Sequence, residues 1–201
     1  PDILDLPMSF PIYAHHAHVF PASINPAGTI DRLLQLMDAC GIEGAVCFAP
    51  FSYQCKPHQL HHNQWLANEL KIRPRLRGFG TLDFLCPTPL RDQVREVHDL
   101  GLLGLKLHPN SQEFDILSPR AFEVYAAAQE LDLLCTFHTG VHAQRLEDYR
   151  VTKFDEVAHQ FPNLRFTMEH MGGYHFFKDA LAVLFNRYPP PWVKNTTCKL
   201  F

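Results

Sequence analysis

Short apolar, β-rich runs alternate with amphipathic helical patterns along nearly the whole chain, one pair every ~25–35 residues. The apolar runs are Phe10–Ala14, Ala45–Ala49, Leu76–Phe84, Leu102–Leu107, Leu133–Phe137 and Leu164–Met168, with Val193–Cys198 as a seventh. Between them lie helical patterns. Thr29–Cys40 carries Ile30, Leu33, Leu34 and Met37 on one face, with Gly41 as its stop. His62–Lys71 follows. Thr88-Pro89 and Ser118-Pro119 each read as an N-cap with proline at the first helical position, opening helices that end at Gly101 and near Leu131. Thr152–Gln160 and Phe176–Arg187 complete the set. The polar segment Ser52–His61 reads as a lid or insertion.

Strands nearly free of polar residues, separated by amphipathic helices, call for a parallel sheet covered on both faces. The expected fold is α/β, a (β/α)8 TIM-type barrel. The rival, a doubly wound sheet, would normally show a Gly-rich turn after its first strand, and none is present. A barrel needs eight strands and typically about 250 residues. The 201 residues supply six to seven βα units. The reading is therefore one barrel domain over 1–201, incomplete at its C-terminus, because an open parallel edge would expose apolar strand.

With 46% hydrophobic residues, the chain can bury one sizeable core. A net charge of -3 without a Lys/Arg cluster argues against nucleic acid as partner. No run of about 18 apolar residues predicts a membrane span, and the start lacks the charged and apolar regions of a leader peptide. Cys40, Cys47, Cys55, Cys86, Cys135 and Cys198 form no Cys-x-x-Cys pair and read as buried free thiols of a cytoplasmic protein. The expected partner is a small-molecule substrate, and a homodimer is compatible with these features.

The thirteen histidines are the unusual number, and their positions decide their meaning. His16 and His18 end the first strand. Residues i and i+2 of a strand point the same way, so both face the barrel interior at the mouth where βα loops build active sites. Two imidazoles that close can share one divalent metal. The bland alternative is two chance histidines on a strand end. His15 has the opposite parity and is expected outside. His138, in Phe137-His138-Thr139-Gly140, ends the fifth strand and is the third ligand candidate, since a catalytic zinc commonly takes three protein ligands. His170, in Glu169-His170-Met171-Gly172-Gly173, is a ligand, a base or an electrophile beside the metal. Glu169, of alternate parity, is expected to point away from the interior into a salt bridge behind the strand.

Lys106 and His108 share parity at the end of the fourth strand and are candidates to contact an anionic substrate. A carboxylated Lys106 would instead imply two metals. His142, Arg145 and His175 follow the strand-end motifs and are substrate-binding candidates, Arg145 as a carboxylate clamp. Asp83 is a weaker candidate at the mouth. His58, His61 and His62 are expected to be solvated in their loop, and His98 and His159 to lie on helix surfaces.

The combined pattern is His16-x-His18, Gly104-Leu105-Lys106-Leu107-His108-Pro109, Phe137-His138-Thr139-Gly140, and Phe161-Pro162-Asn163-Leu164 leading to Glu169-His170-Met171-Gly172-Gly173. It resembles the amidohydrolase-2 family, in the branch of aminocarboxymuconate semialdehyde decarboxylase and related aromatic-acid decarboxylases, from about Ile12 to Phe185. The resemblance implies a (β/α)8 barrel and one divalent metal, usually zinc, on His16, His18, His138 and a strand-eight Asp, with His170 as the catalytic histidine. Two positions depart from the family. Ala14 stands where an Asp is usual, and no counterpart of the strand-eight Asp occurs before Phe201; the resemblance places it in further sequence. The implied activity is hydrolysis or decarboxylation of a small carboxylate, lactone or amide. The alternatives are a metal-independent lactonase of the same fold and a non-catalytic, degenerate barrel.

Overall fold

A computed structural model describes residues 10–187. In chain order the elements are β1 (Ile12–His18), α1 (Ile30–Cys40), β2 (Ile42–Phe48), α2 (Ser52–Cys55), α3 (His62–Leu70), β3 (Leu76–Gly80), α4 (Leu90–Asp99), β4 (Gly104–Leu107), α5 (Pro119–Glu130), β5 (Leu134–His138), α6 (Lys153–Gln160), β6 (Phe166–Glu169) and α7 (Gly173–Arg187). The strands form one sheet in sequential order, β1-β2-β3-β4-β5-β6, and every neighbouring pair is parallel. Sequential order with parallel pairing is the topology of a TIM-type barrel rather than a doubly wound sheet.

The sheet is rolled. Six strands laid flat at ~4.8 Å spacing would separate β1 from β6 by about 24 Å. Instead the Glu169 carboxylate at the end of β6 accepts a hydrogen bond from His16 Nδ1 in β1. The C-terminal ends of the two outer strands are thus drawn together over one mouth, and the described residues form a half-barrel. Below that mouth the core is continuous: Phe48, Leu105, Leu107, Phe137 and Phe166 are all fully buried, as are Val124, Tyr125 and Ala128 of α5.

Local chemistry sets the element ends. The Thr29 hydroxyl caps α1 by accepting from Arg32 N at 3.4 Å, and Gly41 closes it at φ 66. Ser118 caps α5 through Ala121 N at 3.2 Å, with Pro119 in the first turn. At α4 the expected cap shifts by one residue. Pro89 is itself the N-cap (φ -52, ψ 134) and Leu90 starts the helix. The Thr88 side chain is taken by Cys86 at 3.3 Å, and its carbonyl accepts from Gln93 Nε2.

Strand β3 stops at Gly80, four residues short of the apolar run. Thr81 N leaves the ladder to donate to Asn63 Oδ1 at 2.9 Å, and the Thr81 hydroxyl donates to Pro50 O at 2.8 Å. The segment Ser52–His61, expected as a lid or insertion, carries α2 and a 3-10 turn, Lys56–His58. His62 is not solvated: it opens α3 half-buried, with Nε2 3.4 Å from Thr81 O, and burial lowers its pKa. Cys47, Cys55 and Cys135 are buried free thiols as expected, whereas Cys40 is exposed and Cys86 half-buried. The expected strand Val193–Cys198 lies outside the described residues. No helix among the described residues is long and apolar enough to cross a membrane.

Candidate active site

The mouth gathers side chains from β1, β4, β5 and the turn after β6. His16 and His18 face the same side, as period-two geometry requires, and their Nε2 atoms lie 3.3 Å apart. Both rings rest edge-on against Phe48, at centroid distances of 4.8 and 5.3 Å. The strand between Ala14 and Ala17 is bulged, with three residue steps facing two on β2. The bulge breaks the simple alternation that would send His15 outside. Its Nδ1 reaches to 3.5 Å from Glu169 Oε2, although the ring remains largely in solvent.

Glu169 corrects the sequence reading. It does not point away behind the strand; it is 6% exposed and its carboxylate lies against His16. Burial works to raise its pKa. The hydrogen bond from His16 and the nearby charges of His15, His16 and Lys106 outweigh that and hold the carboxyl below its ordinary value.

His138 ends β5, buried, with Nε2 2.8 Å from Gly140 O. Its ring stacks on His108 at 4.0 Å and lies 4.8 Å from the His170 ring. The donor atoms of His138, His108 and His142 fall within 4.8 Å of one another, as do those of His15, His16 and Glu169. The structure therefore brings His16 and His18 together, but places the ligating atom of His138 in a separate cluster with His108 and His142. His170 bridges the two halves, its ring 5.0 Å from His16.

A strained turn aims His170. His170, Met171, Gly172 and Gly173 all have positive φ, at 67, 49, 74 and 61. Side-chain-bearing residues pay for this region by about 1–2 kcal/mol each. Thr139 pins the turn: its hydroxyl donates to Glu169 O at 2.5 Å and accepts from Gly172 N at 2.9 Å.

Lys106 is the electrostatic oddity. It is fully buried, its ammonium has no hydrogen-bond partner among the described residues, and it sits 4.7 Å over the Phe48 ring. Burial pushes its pKa down to about 8, with Glu169 acting in the opposite direction. Its charge and burial also work on the histidines. Burial and the neighbouring His142 and Lys106 push His108 down to about 4. Burial and His108 push His138 down to about 3. Burial and Lys106 lower His18, and burial and His16 lower His170. His18, His108, His138 and His170 are thus all shifted toward the neutral form, the protonation state that metal binding needs.

A cavity of about 330 Å³ opens beside His138 and Thr139, lined also by Gln144, Tyr149, Arg150 and Lys153. His175 lies with His170 in a shallow depression on α7. Arg145 is exposed and does not line that cavity; Arg150, from the same loop, and Lys153, at the start of α6, do. Asp83 bonds Lys56 at 3.2 Å and lines a separate depression with His61 and His62. His98 and His159 are exposed on helices, as expected.

Comparison with solved structures agrees with the barrel topology. An uncharacterised TIM-barrel protein from Bordetella bronchiseptica superposes with a TM-score of 0.71 at 18% identity, over 95% of this chain and 74% of that one. A 5-carboxyvanillate decarboxylase from Sphingomonas paucimobilis gives 0.65 at 15% identity, over 96% and 80%. A probable 2-pyrone-4,6-dicarboxylic acid hydrolase from Acinetobacter baumannii, solved with citric acid bound, gives 0.62 at 15%, over 88% and 67%. At these identities the likeness establishes the fold. A family model described as Amidohydrolase matches residues 14–197. That match covers nearly the whole chain, which therefore belongs to the amidohydrolase family of hydrolases and decarboxylases.

Proposed function

We propose that the mouth of this barrel holds one divalent metal ion, zinc by preference, and that the enzyme hydrolyses or decarboxylates a small carboxylate-bearing substrate. The observation that carries the reading is the His16–His18 pair. At Zn–N distances of about 2.05 Å, two tetrahedral ligands lie about 3.3 Å apart, and the two Nε2 atoms are separated by 3.3 Å. Neutral imidazoles suit zinc and its neighbours in the transition series. His138, one ring away from His170, is the third ligand in this reading. Bound there, the ion would lower the pKa of a water and polarise a carbonyl or carboxylate oxygen.

The remaining work falls to the protein. His170, neutral near pH 7, accepts a proton from a water or hydroxyl beside the pair and returns it to the leaving group, or to carbon after carbon dioxide departs. In this reading Lys106, buried beneath the mouth, supplies the counter-charge for a substrate carboxylate and His108 hydrogen-bonds it, since the ammonium has no hydrogen-bond partner among the described residues. His142 and His175 flank that entry. Arg145 stays at the rim, where it acts on approach rather than as a clamp. The solved structures whose names specify a substrate act on carboxylic acids, which supports an anionic substrate here. Buried free thiols at Cys47 and Cys135 fit a cytoplasmic enzyme.

Hydrolysis and decarboxylation share these residues, so a product assay must separate them. The purified protein, with and without added zinc, is incubated with a panel of aromatic carboxylates and lactones. Release of carbon dioxide or of ring-opened acid is then followed. Activity that disappears with a chelator and returns with zinc supports the proposal. Full activity in metal-free protein would favour the metal-independent lactonase instead.

A further inference from the structure

We propose that Glu169 is a positioning residue, which fixes His16 in the tautomer that leaves its Nε2 bare toward His18. The inference rests on the reading of His16 as a metal ligand. The geometry is a relay of three groups across the barrel opening. The Thr167 hydroxyl donates to Glu169 Oε1 at 3.1 Å, and the other oxygen, Oε2, accepts from His16 Nδ1. A neutral imidazole carries one proton. Once Nδ1–H is committed to the carboxylate, the lone pair is at Nε2, the nitrogen 3.3 Å from His18 Nε2.

Two features mark this contact as built rather than incidental. The strand is bulged between Ala14 and Ala17, where regular alternation would give the β1 histidines a different relation to β6. Glu169 is also 6% exposed and bonds the imidazole and a hydroxyl, while the buried Lys106 ammonium has no hydrogen-bond partner among the described residues. A carboxylate behind a ligating histidine orients the ring and raises its basicity, and removing such a partner commonly weakens metal binding by about 10–100-fold.

The test uses the protein with 15N-labelled histidine. In metal-free samples, long-range 1H–15N spectra read the tautomer of each imidazole. His16 is expected as Nδ1–H in the wild type and shifted toward Nε2–H in Glu169→Ala. Zinc affinity is then measured by competition with a chromophoric chelator. Glu169→Ala is expected to weaken binding by about 10–100-fold, and Glu169→Gln, which keeps the shape but not the charge, by about 10-fold. Glu169→Asp should recover part of the loss. Glu169→Gln also stands in if Glu169→Ala does not fold. An Nε2–H tautomer at His16 in the wild type would overturn the proposal. So would zinc affinity within twofold of wild type in both Glu169→Ala and Glu169→Gln. His16→Ala and His18→Ala distinguish the two readings. If both bind zinc as wild type does, the ligand reading itself has failed and the proposal falls with it, whatever the tautomer.

Discussion

Replacing Lys106 with Met should make the protein more stable and less able to bind an anion. The ammonium is fully buried without a hydrogen-bond partner among the described residues, and burial has pushed its pKa from 10.5 to about 8. At ~1.36 kcal/mol per unit, that difference corresponds to about 3 kcal/mol lost from the folded state wherever the group is charged in both states. The Phe48 ring beneath it returns up to about 2 kcal/mol as a desolvated cation–π contact. Lys106→Met, which keeps the chain length and drops the charge, should therefore gain about 1–3 kcal/mol at pH 7. The gain must depend on pH. Between pH 8 and 10.5 the unfolded chain still holds the proton that folded Lys106 has released, so wild-type stability rises across that window. Urea denaturation of both proteins at pH 7, 8, 9 and 10 follows the difference directly, since other titrating groups cancel. The difference should be largest at or below pH 8 and shrink as pH rises. A variant less stable than wild type at pH 7, or a difference that does not change with pH, would refute the reasoning.

Three further outcomes follow from the same structure. Gly172→Ala should cost at least ~1 kcal/mol more than Gly41→Ala in denaturant unfolding: both glycines have positive φ, but a Cβ on Gly172 would lie 2.8 Å from Phe176 Cβ while Gly41 has open space. The same variant should lower turnover by displacing His170, and equal costs for the two glycines would contradict the strained-turn account. In native protein a thiol reagent should label Cys40 quickly and spare Cys47 and Cys135, whose thiols burial pushes up to about 12; peptide mass spectrometry reads the sites, and rapid labelling of Cys135 would show the core is open. Thr139→Val should loosen the turn after β6 by removing the hydroxyl that bonds Glu169 O and Gly172 N, at a cost of about 1–3 kcal/mol.

The barrel was legible because a buried parallel strand is apolar on both faces, so β2 to β6 stand out as runs in the sequence; β1, Ile12–His18, is half-exposed and histidine-rich and shares only Ile12–Ala14 with the expected run. The mouth was legible by parity alone at His16 and His18, and by strand-end position at Lys106, His108, His138 and His170. What escaped was set by tertiary detail. A bulge between Ala14 and Ala17 has no sequence mark, and it brings His15 Nδ1 near Glu169 while the ring stays largely in solvent. Glu169 turns inward for a different reason: it stands in regular register with His138 and shares its parity, and it is His170 that leaves the strand, in a positive-φ turn. Strand β3 ends where Asn63, from a different element, captures the Thr81 amide. His62 looks like part of a polar loop until Thr81 packs over it. Arg145 was the visible cation of its loop, yet Arg150 and Lys153 line the cavity because the 3-10 turn Leu146–Tyr149 rotates the chain between them. The resemblance places the acidic ligand of the histidine pair in further sequence. Among the described residues, an acid already touches His16, through the far nitrogen of the ring.

The most direct test of a metal at this mouth is its stoichiometry. The protein is stripped with a chelator, reloaded with zinc, desalted and measured by elemental mass spectrometry, beside the double variant His16→Ala/His18→Ala. One zinc per chain in the wild type and a near-complete loss in the double variant is the predicted result. Zinc retained by the double variant, or none bound by the wild type, would contradict it.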